Sequence, residues 1–223
     1  MDERTALLYA KTHEFRYLVT KTERFIAWAL KQVQNPYVAC SFGKDSAVML
    51  HLVLKQLPDV QAIFVRRIET DLVDNYAEVI AQWGDINLRQ ITVLGWLETG
   101  SKKRTVSTAT SNLEHDSYFV GLRKDESAGR RISLKTAGNF YKMKEGKYRI
   151  CPMSDWSTND IATYCLSNRL PVLSKYLNEG FEARTTSGIP RKFASESIQS
   201  LKARDIAAYN SLLKLLPDAK YFT

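Results

Sequence analysis

Tyr37-Val38-Ala39-Cys40-Ser41-Phe42-Gly43-Lys44-Asp45-Ser46-Ala47-Val48-Met49-Leu50-His51-Leu52 is the stretch from which the fold follows. A short apolar run, Tyr37 to Cys40, gives way to a turn rich in hydroxyls, and Ala47 to Leu57 then carries leucines and valines at helical intervals up to Pro58. The order is strand, tight loop, helix. In such a loop the N–H groups of a helix N-terminus, a glycine without Cβ and the hydroxyls of Ser41 and Ser46 make a cradle for phosphate oxygens. In an ordinary strand-to-helix turn Asp45 or Ser46 would merely cap the helix. A Walker A loop would need glycine where Val38 stands, and no G-x-G follows the strand, which weakens P-loop NTPase and dinucleotide-binding readings.

Outward from this loop the alternation continues. Strands are predicted over 62–65, 90–94 and 118–120, with a helix over 72–83 stopped by Gly84. Strands alternating with helices imply an α/β fold with a mainly parallel sheet of about five strands flanked by helices. Leu8, Phe15, Leu18, Ile26 and Val33 predict one long or broken amphipathic helix over 3–33. Short strand-like runs at 139–143 and 147–150, joined by Glu145-Gly146, read as a basic inserted hairpin. Ser157 and Asp160 form a capping-box pattern opening a helix to Ser167, and 194–216 is helical by pattern. One domain over 1–223 is expected: an N-terminal helix in 1–33, a core over 37–190 and a C-terminal helical tail over 191–223.

Composition narrows the class. The 223 residues are 44% apolar and 25% charged, near the globular average and away from disordered chains. Apolar runs such as Phe25 to Leu30 fall far short of a bilayer span, and no signal-peptide pattern opens the sequence, so a cytoplasmic protein is expected. Three cysteines, at 40, 151 and 165, form no CxxC pair, so neither zinc nor an iron–sulfur cluster is expected. They read as small buried hydrophobes. His13, His51 and His115 are scattered and suggest neither a metal site nor a triad. A net charge of +8 favours partners bearing phosphate or sulfate.

A second constellation, Gly121-Leu122-Arg123-Lys124-Asp125-Glu126-Ser127 with Arg130 and Arg131, follows the fourth strand, at the edge where open α/β sheets bind ligands. By composition it is a solvated charged loop. The loop Ser41 to Ser46, however, resembles the PP-loop of the N-type ATP pyrophosphatases. The wider phrase Cys40 to Leu52 is similar to the branch holding phosphoadenosine phosphosulfate (PAPS) reductases and the small subunit of ATP sulfurylase. Gly121 to Ser127 resembles that branch's second motif, and Ile150-Cys151-Pro152-Met153-Ser154-Asp155-Trp156-Ser157 a third, with Trp156 packed and Asp155 bonded to nearby backbone.

The resemblance covers roughly residues 20–190 and implies an adenine nucleotide α-hydrolase-like fold. It implies nucleotide phosphates on Ser41, Phe42, Gly43, Lys44, Asp45 and Ser46, and a second anionic group on Gly121, Arg123, Lys124, Asp125, Glu126, Arg130, Arg131 and Arg184. Lys44, Asp45 and Arg123 are the expected catalytic residues, with Asp45 on Mg²⁺ and Glu69 or Asp71 facing the nucleotide or the metal. By its residues, Arg184 opens a polar loop to Arg191 that suits closure over an anion and a plain connection equally well. Reductases of this family use a catalytic cysteine in a C-terminal segment, whereas no cysteine follows Cys165, and Arg66 to Asp71 replaces the family's Asp-Thr-Gly phrase.

Four functions follow as expectations. The first is an enzyme acting on PAPS or its 3′-dephospho relative APS, passing the sulfonate to an external thiol or sulfur-donor protein. The second is an ATP pyrophosphatase that adenylylates an acceptor, including a nucleic acid marked for sulfur modification. The third is a nucleic-acid-binding module using the basic hairpin, with weak support because a nucleotide site needs the same charge. The fourth is a nucleotide sensor without turnover. A homo-oligomer is compatible with the sequence.

Overall fold

β1 (Pro36–Ala39) is a short run whose middle residues, Tyr37 and Val38, are both buried, as a strand covered on both faces requires. It forms the centre of a sheet that also holds β2 (Gln61–Arg67), β3 (Leu88–Val93), β4 (Ser117–Phe119), β5 (Phe140–Lys142) and β6 (Tyr148–Ile150), in the order β3-β2-β1-β4-β6-β5. The structure, a computed structural model, describes residues 2–67, 76–93, 109–183, 198–199, 202–203, 206–215 and 217–222. β1 runs parallel to β2 on one side, Tyr37 opposite Gln61, and to β4 on the other, Tyr37 opposite Tyr118. The strand order therefore reverses at β1, and the carboxyl edge there is where α/β sheets place ligands.

The hairpin is part of the sheet. β6 pairs parallel with β4, and β5 closes the edge antiparallel to β6, so the inserted basic hairpin adds the last two strands of the sheet.

α1 (Glu3–Tyr9) and α2 (His13–Leu30) are the expected N-terminal helix, broken where Thr12 caps α2 by accepting from the Phe15 N–H at 3.3 Å. α3 (Lys44–Leu54) is almost wholly buried: Ala47 to Leu50, Leu52 and Val53 have no exposed surface. Each such Leu or Val contributes about 1.5–3 kcal/mol, which fixes the loop before α3 to the sheet. α4 (Tyr76–Gln82) falls within the helix expected over 72–83, whose first residues, 72–75, lie outside the described set.

α5 (Ala128–Ala137) was not legible in the sequence, because Leu134 is its one buried side chain and gives no apolar period. α6 (Thr158–Ser167) opens with the expected capping box: Ser157 Oγ accepts from the Asp160 N–H at 3.1 Å, and Asp160 Oδ2 from the Ser157 N–H at 2.7 Å. α7 (Ser174–Glu179) brings Tyr176 into the interior.

The chain forms two compact units. Residues 1–64, 77–90 and 113–184 make the first, which contains both motif loops; 65–76, 91–112 and 185–223 make the second. In the second, α8 (Ile206–Leu215) buries Tyr209 and Leu212 and falls inside the tail expected to be helical. No described helix is long and apolar enough to cross a membrane.

Candidate active site

The loop after β1 is held in an unusual conformation by its own side chains. Phe42 adopts a left-handed backbone, φ +52°, at a cost of about 1–3 kcal/mol for a bulky residue. Its ring, fully buried and edge-on to Phe64 at 5.3 Å, offsets that cost. Ser46 Oγ staples the loop, donating to the Gly43 carbonyl at 3.0 Å and accepting from the Ser41 N–H at 3.1 Å, with Ser41 Oγ 3.2 Å away. Gly43 is the N-cap of α3, and no side chain caps that end. The first-turn N–H groups and the positive end of the helix dipole are thus left for an anion.

Lys44 turns from this turn into the interior. Its ammonium donates to the Ala183 carbonyl at 3.2 Å, lies 5.0 Å from the Tyr176 ring centre and 3.7 Å from Asp45 Oδ2. Burial pushes this ammonium below the ordinary lysine range; Asp45 opposes the shift and Arg123 adds to it. Nothing in the pattern of 174–183 pointed to Tyr176 as the platform under Lys44.

Gly121, the first residue of the second motif, has a steric reason to be glycine. A Cβ there would meet the Asp45 carbonyl oxygen at 2.7 Å and its carbon at 2.8 Å, so the two motif loops touch backbone to backbone. Arg123 completes the junction and is 2% exposed. Its Nε donates to Asp45 Oδ1 at 2.5 Å, Nη1 to the Trp156 carbonyl at 3.2 Å, and Nη2 to Thr158 Oγ1 at 3.4 Å; Asp125 Oδ2 lies 3.4 Å from Nη1. One guanidinium bonds all three motifs together.

This placement revises several expectations. Arg123, expected as an anion-binding and catalytic group, gives its Nε, its Nη1 and one Nη2 bond to protein partners. Asp45, read as a magnesium ligand, has one carboxylate oxygen on Arg123 and the other facing Lys44, so the residues present do not fit a metal there. Among the described residues no cluster of three or more His, Cys, Asp and Glu is arranged to hold one. Glu126 accepts from the Arg123 N–H at 2.9 Å and pairs with Arg130, while Lys124 pairs with Asp155 at 2.6 Å. Asp155 thus meets a side chain where backbone was expected. Arg131 is exposed on α5. Glu69, Asp71, Arg184 and the loop to Arg191 lie outside the described residues.

Trp156 is packed as expected, 1% exposed, its indole N–H donating to Thr22 Oγ1 of α2 at 2.9 Å. Cys40, Cys151 and Cys165 are all buried, and burial raises all three thiols, Cys40 and Cys151 to about 12. None is a thiolate nucleophile near neutral pH. His51 is a packing residue, its Nδ1 3.0 Å from the Tyr164 hydroxyl.

Comparisons with known proteins give the chain its relatives. Residues 35–183 match the phosphoadenosine phosphosulfate reductase domain family. The phosphoadenosine 5′-phosphosulfate reductase of Xanthomonas axonopodis pv. citri is 28% identical over 178 residues, covering 68% of this chain and 70% of that protein. Among solved structures, the PAPS reductase of Candida auris in its phosphate complex aligns with a TM-score of 0.55 at 18% identity, over 76% of this chain and 92% of that one. The U34-tRNA thiolase NcsA of Methanococcus maripaludis, with its [4Fe-4S] cluster, aligns at 0.51 and 16% identity, over 89% and 80%. These two likenesses establish the shared fold. With two thirds of its length matched and the motif loops joined at the strand-order reversal, the chain belongs to the phosphoadenosine phosphosulfate reductase domain family, a family of enzymes.

Proposed function

We propose that the protein binds an adenine sulfonucleotide, PAPS or APS, at the loop Ser41 to Ser46 and passes its sulfonate to the thiolate of a separate donor protein in the cytoplasm. The observation that carries this reading is the N-terminus of α3: uncapped by any side chain, beside Lys44, and at the carboxyl edge where the strand order reverses. Family membership supports the sulfonucleotide.

The chemistry asks little of the chain beyond position and charge. The donor's thiolate attacks the sulfonate sulfur, the bond from that sulfur to the bridging phosphate oxygen breaks, and its electron pair leaves on the nucleotide phosphate. A thiol S-sulfonate and adenosine 3′,5′-bisphosphate, or AMP from APS, are the products. Charge grows on the departing phosphate, which the first-turn N–H groups of α3 and the Lys44 ammonium stabilise. Arg123 holds Asp45, and Asp45 helps to hold Lys44. Cys40, Cys151 and Cys165 are buried, which suits a nucleophile supplied by the separate protein.

Incubation with radiolabelled PAPS or APS and a reduced protein bearing a single reactive thiol tests this directly. S-sulfonated donor and free nucleotide are expected, and both are lost in Lys44→Ala. Pyrophosphate release from ATP, with neither sulfonucleotide turned over, overturns the reading in favour of adenylylation.

A further inference from the structure

Away from the nucleotide site, the outer face of α2 carries a stripe of one sign. His13, Arg16, Tyr17, Thr20, Lys21 and Arg24 line an open groove of about 330 Å³, while Phe15, Thr22, Ile26 and Ala29 bury the opposite face. Arg16, Lys21 and Arg24 are exposed and take part in no ion pair among the described residues. A surface helix usually mixes charges of both signs. Here Glu23 is occupied by Lys55, and Glu14 stands at the edge of the stripe by helical phase.

Aromatic rings stand between the cations. Tyr17, 61% exposed, stacks on His13 at 6.3 Å, and Trp28, 45% exposed, lies on the same face further along. Trp28 meets Phe140 of β5 edge-on at 5.2 Å, so the stripe continues onto the sheet edge, where Lys142 and Lys144 are exposed. From His13 to Trp28 the helix rises about 22 Å, on the scale of a small single-strand site of about four nucleotides.

We infer that this face of α2 and the adjoining hairpin bind single-stranded RNA. Exposed guanidinium and ammonium groups suit backbone phosphates, and exposed rings suit unstacked bases. Folded RNAs display unstacked bases in loops and bulges, whereas duplex DNA hides them. The surface is distinct from the α3 N-terminus, and RNA binding is measured with no nucleotide present, so it stands or fails separately from the sulfonucleotide reading.

The test is fluorescence anisotropy of a labelled 12-nucleotide single-stranded RNA, with a 12-base-pair duplex DNA alongside, at several salt concentrations. Arg16→Glu, Lys21→Glu and Arg24→Glu together are expected to weaken RNA binding about tenfold or more and to flatten the salt slope by about 2, the value for three phosphate contacts on a single strand. Tyr17→Ala, a mild change at an exposed ring, should weaken binding several-fold and leave the slope alone, which keeps the inference testable if the triple variant misfolds. Lys202→Glu, Lys214→Glu and Lys220→Glu make the same change of net charge elsewhere and should have little effect. Unchanged RNA binding in both the α2 triple and Tyr17→Ala, equal loss in the Lys202 triple, or tighter binding of duplex DNA than of RNA overturns it.

Discussion

Two basic regions of this chain are alike in composition and opposite in burial. At the junction of the motif loops Arg123 is 2% exposed and bonded to Asp45, Trp156 and Thr158. On α2, Arg16, Lys21 and Arg24 are exposed and without ion pairs among the described residues. A buried guanidinium whose hydrogen bonds are met by protein belongs to the frame, whereas an exposed one keeps its donors for a ligand. Motif membership alone does not say which case applies.

The contrast breaks most visibly at Arg123. Arg123→Met keeps the volume but leaves Asp45 partly buried with Lys44 alone, and should cost about 3–5 kcal/mol in urea unfolding. A cost below about 1 kcal/mol would show that the guanidinium is dispensable to the frame. Gly121→Ala comes next: its Cβ has no room against the Asp45 backbone, and about 1–3 kcal/mol is expected, together with lost nucleotide binding.

Lys44 sharpens the comparison through pH. Its buried ammonium titrates below the ordinary lysine range, and a bound anion would raise that value. Affinity is therefore full below the free protein's lowered pKa and falls as pH rises through the bound one. Lys44→Arg, which stays charged, should remove the alkaline fall in calorimetric titrations; a fall that persists in this variant assigns it to another group. The smallest effect belongs to α2, where Arg24→Ala should change stability by no more than about 0.5 kcal/mol. A larger loss would mean that the stripe is structural after all.

Much of the frame was legible because hydrophobic burial leaves a period in the sequence. β1 shows as Tyr37 to Cys40 within one residue, and the Ser157–Asp160 box marks the start of α6. α3 begins at Lys44, where the apolar period suggested Ala47, because its cap is Gly43 and no side-chain oxygen announces the start. α5 escaped because one buried residue, Leu134, makes no pattern.

At the site, residue types were legible and roles were not. Gly121 carried a motif signal, but its contact with Asp45 depends on how two loops 75 residues apart in sequence are brought together by β1 and β4. The burial of Arg123 against Asp45 and Trp156 is likewise a consequence of tertiary packing, which no local spacing encodes. Tyr176 beneath Lys44 belongs to the same class.

Calorimetric titration of the protein with PAPS, APS and ATP, repeated on Lys44→Ala, tests the central claim most directly. Saturable binding of PAPS or APS tighter than ATP, weakened about tenfold or more by the substitution, is expected. Equal binding of both sulfonucleotides to the wild type and to Lys44→Ala, or no binding to either, would contradict it.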